Sequence, residues 1–480
     1  MSIKTQAACE AWLTRADQRP ARWLALFALV LALQISPLWY ASPDGAGYVS
    51  IARSIAAGGP LARLGNPELA FPLGYPLLIS PAFLSGPRPF LVLSIMHWIL
   101  AVAFMLGVYR WMRRQLGAGA LWLTGLVMAN VSVWMLYRRT LSEAAFLTVM
   151  VWSVDLLDRI LRADPRHARV QLVLAAALLI LLSAIREAGV LFGVGFGVAL
   201  LARMARGVTS RRAAATALAV TAAALLIALA SIRPERIAAA APAFAGNLAG
   251  YADARSADLG SLGHRLFLRM TEIGQLLVPG MFKAYGRTWL DINTIVYAPL
   301  LVAVAVGWWR LLRRRLDVFA VTAPLYIAVH VWWPYLGGTR YLLPLLPLLV
   351  ACVWMHLEPQ RGWRLSVVCA ALLAHAAVAG AQWLVVDLPS ARACNDAQPA
   401  VEGLAPRIGR DSGAVAAAHV PACVALMLAL ELERPVQLID DLASVDATKH
   451  WILAPRRSAA VPGFQTDGAS GDYVLLRRQG

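Results

Sequence analysis

The sequence predicts an all-α polytopic membrane protein of about eleven transmembrane helices, with a small C-terminal α/β domain outside the membrane. Three observations support this fold class. Hydrophobic residues make up 59% of the 480 residues, and charged residues make up only 15%. Apolar runs of about 17–25 residues, the length that spans a bilayer, recur along most of the chain. Basic residues cluster between alternate runs, as in the cytoplasmic loops of membrane proteins.

This composition excludes several other classes. A soluble fold of this length carries roughly 25% charged residues, so this chain has too few. It is too apolar to be disordered, and its 5 cysteines are too few for a disulfide scaffold. The net charge of +17 could indicate a nucleic-acid partner. Because the basic residues are dispersed among the loops, we expect contact with membrane lipids and no nucleic-acid binding.

The predicted spans follow from the apolar runs. The first run is too long for the core of a signal peptide and precedes no cleavage pattern, so it is predicted to be a retained helix. Segment 71–84 is apolar but short and rich in proline, which predicts an interfacial or re-entrant piece. The eleven predicted spans are 22–40, 90–109, 118–137, 141–161, 170–185, 188–204, 213–232, 294–312, 318–335, 340–356 and 364–386.

The basic residues predict the orientation. With the N-terminus inside, 21 of them lie in cytoplasmic segments and only seven lie in the short outside segments. This bias is the positive-inside pattern, and it supports an odd number of spans. The seven outside residues are Arg53, Arg63, Arg88, Arg138, Arg139, Arg186 and Arg340.

This orientation predicts a membrane domain, 1–386, with outer loops 41–89 and 233–293, followed by an outside domain, 387–480. In that tail, strand-like runs alternate with a helix-like run, which predicts an α/β fold. Cys394 and Cys423 both lie there, where oxidation is permitted. A disulfide between them and two unrelated buried thiols are equally compatible with the sequence.

The first candidate site residue is Asp44, in the stretch SPDGAGY that follows the first span. Ionisable groups at the ends of membrane helices are costly and usually functional. Tyr48 and the apolar residues after it recur at helical spacing, which predicts an amphipathic helix, 46–57, lying on the membrane. In the alternative interpretation, Asp44 is the N-cap of that helix.

Basic residues at the predicted outer ends of spans form the second set of candidates. Arg138 and Arg139 oppose the positive-inside trend, which indicates a retained anionic partner, and a guanidinium suits phosphate. Arg186 could instead be neutralised by Glu187 beside it, and Glu143 could simply favour the dipole of its helix. Weaker candidates lie in the loop 233–293, namely Arg265, Arg269, Glu272, Lys283, Arg287 and Asp291.

Together these residues predict a site for a lipid phosphate at the outer leaflet. A carboxylate there can act as a general base on an acceptor hydroxyl. Arginines can bind the phosphate and stabilise it as it leaves.

At these positions the chain resembles a family, the GT-C glycosyltransferases that use polyprenyl-phosphate sugars. It is similar to the protein mannosyltransferases, the aminoarabinose transferases and the lipopolysaccharide-core transferases. Four stretches carry the resemblance in the order that the family shows. They are SPDGAGYVSIARSIAAGG with FPLGYPLL, LSEAAF at 141–146, IREAGV, and RYLLPLLP at 340–347.

The resemblance implies residue roles. Asp44 matches the catalytic base, and Glu143 matches a second acidic position that in relatives helps to organise the site or a divalent metal. The donor phosphate would be contacted by arginines, and the acceptor pocket would be framed by tyrosines. The arginines are Arg138, Arg139, Arg186 and Arg340, and the tyrosines are Tyr48, Tyr75 and Tyr341.

The predicted function is therefore an inverting membrane glycosyltransferase. Its donor would be a sugar on a polyprenyl phosphate, and its acceptor a glycan, a lipid or a protein. We expect it at the outer face of a bacterial cytoplasmic membrane, with the C-terminal domain in the periplasm. A divalent metal is compatible with this function, and the sequence implies no other cofactor. The alternative is a lipid or saccharide transporter, which would place ionisable residues near the membrane midplane.

Overall fold

The structure is a computed structural model whose described part is mostly helical. Its helices are α1 (Pro20–Ala32), α2 (Pro43–Ala56), α3 (Gly74–Ile79), α4 (Phe90–Leu116), α5 (Ala120–Ala129), α6 (Val131–Arg138), α7 (Ser142–Arg162), α8 (Ala168–Ile185), α9 (Val190–Ala205), α10 (Arg211–Ala230), α11 (Leu259–Leu277), α12 (Ile292–Arg314), α13 (Val318–Trp332), α14 (Thr339–Leu342), α15 (Leu346–Leu357), α16 (Arg364–Ala381), α17 (Leu388–Asp396), α18 (Gln398–Ile408) and α19 (Ala422–Leu432). The structure describes residues 15–65, 72–162, 168–206, 211–230, 259–279, 292–314, 316–332, 339–358, 363–408, 414–439, 449–456, 461 and 463–479.

Every predicted span overlaps a helix, although the first, 22–40, is helical only as far as Ala32. The membrane character of the fold is confirmed. Among the described residues, five helices are long and apolar enough to cross a membrane. Helices α5 and α6 are bent by 61° around Asn130 and make a sixth if they count as one span. Several other apolar helices are shorter, so the number of eleven spans stays a prediction.

The chain divides into two compact units. We call the first the helical unit; it comprises Met1–Leu33, His97–Tyr137 and Ser142–Ala381. The second, the sheet unit, comprises Gln34–Met96, Arg138–Leu141 and Gln382–Gly480. The sheet unit therefore contains the predicted first loop as well as the tail. The domain boundary between residues 386 and 387 stays a prediction.

Close packing and hydrogen bonds to buried carboxylates hold the helices of the helical unit together. Helix α12 packs on α15 so closely that a Cβ at Gly307 would overlap the Cys352 carbonyl oxygen. Asp17 accepts hydrogen bonds from two amides at the start of α5, which otherwise lack an acceptor. Asp317 likewise accepts hydrogen bonds from two amides at the start of the helix that follows it, α13. Asp158 accepts from the Val318 amide, also at the start of α13.

The tail forms a five-stranded sheet in the order β2-β1-β3-β5-β4. Strand β1 pairs in parallel with β2 and β3, and β5 pairs antiparallel with β3 and β4. Alternate residues of the inner strands, such as Ala416, Ile452 and Leu476, form a buried core. The strands are β1 (Ala414–Ala418), β2 (Val436–Ile439), β3 (Lys449–Pro455), β4 (Phe464–Ser470) and β5 (Tyr473–Arg478).

This sheet confirms the small C-terminal α/β fold, although sequence patterns identify only four of its strands. The fourth strand, FQTDGAS, lacks alternating apolar residues because it is an edge strand that pairs only with β5. Helices α17 and α18, which precede the sheet, were also not predicted.

A disulfide joins Cys394 of α17 to Cys423 of α19, and their Cα atoms are 6.0 Å apart. The bridge encloses a sequence separation of 29 residues. A loop of this size restricts the unfolded chain enough to contribute roughly 3 kcal/mol to stability.

Replacing both cysteines by serine (C394S/C423S) should therefore lower the melting temperature of the purified protein by several degrees. The matched control is Cys369→Ala, which removes a half-buried thiol outside this bridge and should change the melting temperature less. Thiol labelling of the unreduced, denatured wild type should leave two of its 5 cysteines unmodified. Labelling of all of them would contradict the pairing.

Candidate active site

Glu143, in the first turn of α7, is the centre of a charged cluster in the helical unit. Its side chain is only 5% exposed, and its Oε1 atom lies 2.5 Å from Nη1 of Arg186. The same oxygen lies 3.5 Å from Nε of Arg340. Arg186 follows the last residue of α8, and Arg340 lies in the short helix α14. The fold thus brings together three predicted site residues that are far apart in the sequence.

Two tyrosines hold the arginines of this cluster in place. The Arg186 guanidinium lies 5.1 Å from the ring centroid of Tyr341, and that of Arg340 lies 4.9 Å from the same ring. Such cation–π contacts are attractive, particularly where water is excluded. Arg340 also donates a hydrogen bond to the Tyr341 hydroxyl over 3.1 Å. The Tyr326 hydroxyl donates to the Tyr341 carbonyl oxygen over 3.0 Å.

A second ion pair lies on α11, and sequence patterns identified it only weakly. Nη1 of Arg269 lies 2.6 Å from Oε2 of Glu272, and both side chains are buried. Arg269 also donates to the His330 carbonyl oxygen over 3.0 Å. Burial raises the pKa of the Glu272 carboxyl, and Arg269 opposes that shift. An Arg and a Glu three residues apart, the spacing of neighbours on a helix, were the signal that could have given these residues more weight.

The remaining candidates of the predicted loop 233–293 have different outcomes. Arg265 lies on α11 and is half-buried. Lys283, Arg287 and Asp291 lie outside the described residues, as does most of the rest of that loop.

An apolar groove of about 530 Å³ extends along α11, α12, α13 and α15. Its lining residues are apolar apart from Cys352. Met270 and Ile273 of the lining flank the ion pair on α11, and Val331 follows His330. The groove therefore lies in the same part of the helical unit as these charged residues.

Asp44 lies in the sheet unit, in the first turn of α2, and is half-buried. The N-cap of this helix is Ser42, whose hydroxyl accepts a hydrogen bond from the Gly45 amide over 3.1 Å. The alternative in which Asp44 caps the helix is therefore wrong, because the cap position is already filled by Ser42. A Cβ at Gly45 would lie only 3.1 Å from the Thr140 carbonyl oxygen, so glycine permits this close approach.

Helix α2 is buried, in contrast to the predicted amphipathic helix on the membrane surface. Every residue from Gly45 to Ala52 is buried, because α3 and α19 pack against the helix. The rings of Tyr48 and Tyr75 meet edge to face, with centroids 5.0 Å apart. These two tyrosines therefore have a packing role, and their acceptor role stays a prediction. Phe71 of the same motif lies outside the described residues.

The two adjacent arginines after α6 have different surroundings. The Arg138 side chain is 1% exposed, lies 2.6 Å from Oδ2 of Asp387, and has its guanidinium 5.7 Å from the Tyr40 ring centroid. A buried guanidinium with a carboxylate partner is poorly placed to bind a phosphate, so this geometry argues against the predicted role of Arg138. Arg139 is half-buried and forms no ion pair with a described residue.

Within the sheet unit, the tail binds the chain both before and after Asp44, at Trp39 and at Arg53. The Asn395 side chain accepts from the Trp39 amide and donates to the Trp39 carbonyl oxygen, both over 3.2 Å. Arg53, near the end of α2, donates to the Leu430 carbonyl oxygen over 3.2 Å. Asn395 and Leu430 lie on α17 and α19, the two helices that the disulfide joins.

Comparison with solved structures finds the same fold in ArnT and in archaeal oligosaccharyltransferase structures. ArnT from Cupriavidus metallidurans, bound to undecaprenyl phosphate, is 11% identical, with a TM-score of 0.56 over 96% of this chain and 98% of that chain. An oligosaccharyltransferase from Archaeoglobus fulgidus, in complex with Zn and sulfate, is 13% identical, with a TM-score of 0.56 over 90% of this chain and 68% of that chain. The archaeal AglB with an inhibitory peptide and a dolichol-phosphate gives a TM-score of 0.53 at 12% identity, over 91% of this chain and 69% of that chain.

The chain has the GT-C fold. The fold implied by the sequence resemblance is thereby confirmed. Comparison of the sequence with protein-family profiles and with curated proteins finds no match.

A divalent metal is compatible with the GT-C fold. To bind one, this chain would need a group of side chains that can ligate it. The described residues include no group of three or more His, Cys, Asp or Glu side chains that could hold a metal ion. Glu143, the predicted second acidic residue, is ion-paired with two arginines. The described residues therefore do not fit a metal site, and we assign no step to a metal.

The pairing of Arg138 with Asp387 can be tested by a double-mutant cycle. Arg138→Gln should destabilise the protein by about 3–5 kcal/mol, because it leaves a carboxylate without its partner. Adding Asp387→Asn should recover part of that loss, since the remaining charge is removed. Thermal unfolding of the single and double variants gives the coupling energy. Additive effects would show that the two side chains do not stabilise each other.

Proposed function

We propose that this protein is an integral membrane glycosyltransferase that transfers a sugar from a polyprenyl-phosphate donor to an acceptor. One observation carries the proposal. The apolar groove reaches Val331, and the ring of the adjacent His330 lies 6.1 Å from the ring of Tyr341. Because Arg186 and Arg340 both contact Tyr341, the charged cluster and the groove lie close together. The GT-C neighbours support it, because their structures contain undecaprenyl phosphate or dolichol-phosphate.

The charge of the cluster favours an anionic ligand. Arg186 and Arg340 share one carboxylate, so the three side chains carry a net positive charge. Both arginines are partly exposed, with 19% and 37% of their side chains accessible. Guanidinium groups bind phosphate through parallel hydrogen bonds. In this proposal they hold the donor phosphate and stabilise its charge as the sugar leaves.

The groove supplies the surface for the lipid part of the donor. A polyprenyl chain is a hydrocarbon, and its transfer from water to an apolar groove is favourable. The 530 Å³ groove is lined by aliphatic side chains and Trp308. The tail of the donor would occupy it, which would leave the phosphate beside the arginines.

Asp44 is assigned the role of general base. In the proposed inverting mechanism, its carboxylate takes the proton of the acceptor hydroxyl as the acceptor oxygen attacks the anomeric carbon. The bond from that carbon to the phosphate oxygen then breaks, and the lipid phosphate leaves. Glu143 positions Arg186 and Arg340, with which it is paired.

The proposal includes a location. The bias of basic residues places the N-terminus in the cytoplasm and the sheet of the tail on the other side of a bacterial cytoplasmic membrane. The acceptor is then a glycan, lipid or protein outside the cytoplasm.

Asp44→Asn should lower sugar transfer by about 10²–10⁴-fold, because the acceptor loses its general base. The variant is expressed as the only copy in the host, and mass spectrometry measures the lipid-linked sugar that accumulates. The control is Asp472→Asn, which removes an exposed carboxylate of the sheet unit and should leave transfer unchanged. Full transfer with Asp44→Asn would refute the assignment, and a transporter would not require this carboxylate.

Arg186→Gln and Arg340→Gln should each weaken the binding of undecaprenyl phosphate by about 10–100-fold, because each loses a charge-assisted hydrogen bond. Binding is measured by native mass spectrometry of the full-length protein in detergent. Arg313→Gln, which removes an exposed arginine elsewhere in the helical unit, should bind as the wild type does. Equal affinity of all variants would exclude the cluster as the phosphate site.

A further inference from the structure

The beginning of α1 carries a basic groove that the proposed sugar transfer does not use. Arg15, Gln18, Arg19 and Arg22 line a concave surface of about 460 Å³, together with Trp23 and Leu26. The three arginines are exposed. Their side chains converge on a volume large enough for a phosphate with its glycerol group.

Among the described residues, no acidic side chain lies in the lining of this groove. Asp17 is the only acidic residue within the described stretch 15–33, and its carboxylate is buried. It accepts hydrogen bonds from the amides of Gly119 and Leu121 and pairs with Arg113 over 3.3 Å. Within the described part of the chain, no acidic side chain forms an ion pair with Arg15, Arg19 or Arg22.

An apolar stripe continues from the groove along the same helix. Arg22, Leu26, Leu29 and Leu33 follow each other at intervals of four, three and four residues, which places them on one face. The three leucines are exposed, Leu29 by 67%.

The other face of α1 packs into the helical unit. Leu24 and Leu31 are buried, and the helix packs against α5. The rings of Trp23 and Trp122 are 5.4 Å apart. These contacts leave the leucine stripe pointing away from the protein.

We propose that the groove and the stripe form a binding site for an anionic phospholipid. The arginines would hold its phosphodiester, since guanidinium groups match phosphate geometry, and an acyl chain would lie along the leucines. Basic pockets beside membrane helices bind anionic headgroups in this way. A general excess of cytoplasmic arginine would account for the charge. It does not account for the concave arrangement, the continuous leucine stripe, or the inward orientation of Asp17.

The test is a titration of the full-length protein in detergent with dioleoyl phosphatidylglycerol, with native mass spectrometry to count the bound lipids. R19Q/R22Q should weaken the tightest-bound lipid by about 30-fold, since each arginine contributes a factor of about 5 at an anionic surface. The control R206Q/R313Q removes the same charge from two exposed arginines of other helices and should bind as the wild type does. R19K/R22K keeps the charge but loses the guanidinium geometry, so it should bind the lipid more weakly than the wild type and more tightly than R19Q/R22Q.

Two further arms of the experiment identify the ligand. Phosphatidylcholine should bind more weakly than phosphatidylglycerol, and soluble glycerol phosphate should not compete, because it lacks an acyl chain. Equal loss in both double glutamine variants would overturn the proposal in favour of general charge attraction. Equal binding of phosphatidylcholine, or full competition by glycerol phosphate, would overturn it as well. Melting temperatures of the variants control for folding, and the result is independent of any sugar transfer.

Discussion

Charged side chains in a helical membrane protein need partners, because neither lipid nor packed apolar side chains can solvate them. Helix α7 shows how this constraint organises the helical unit. Glu143, in the first turn of α7, pairs with Arg186, which follows α8, and with Arg340 of α14. Near its last turns, Asp155 pairs with Arg110, Arg114 and Arg159.

The two ends of α7 nevertheless have different partners. Around Asp155 and Asp158, the carboxylates bind groups of neighbouring helices, such as Arg114 of α4 and the Val318 amide of α13, and these contacts fasten the helices together. Around Glu143, one carboxylate serves two partly exposed arginines, the residues to which the proposed function assigns the donor phosphate. At both ends, the arginines outnumber the carboxylate that they share.

The sequence alone predicted the helices and the small sheet well, because each depends on a local period of apolar residues. It also predicted Arg186, Arg340 and Glu143 as site residues, since charges at the ends of spans are visible without a structure. Arg138 was indistinguishable from these by that criterion. Only the fold shows that its partner is Asp387, 249 residues later in the chain. Strand β4 escaped prediction because it is a polar edge strand. Arg269 and Glu272 were only weak candidates, because they lie in a predicted loop, where charges are common.

The contacts of Trp39 with Asn395 have a consequence for how the protein is made. These residues are separated by 356 positions, and Arg53 reaches Leu430 across 377. During synthesis, the segment that carries Asp44 emerges long before the helices that hold it. That segment therefore acquires its final anchors only when nearly the whole chain has been translated and inserted. A chain that stops before α17 and α19 lacks the contacts that hold the Asp44 segment.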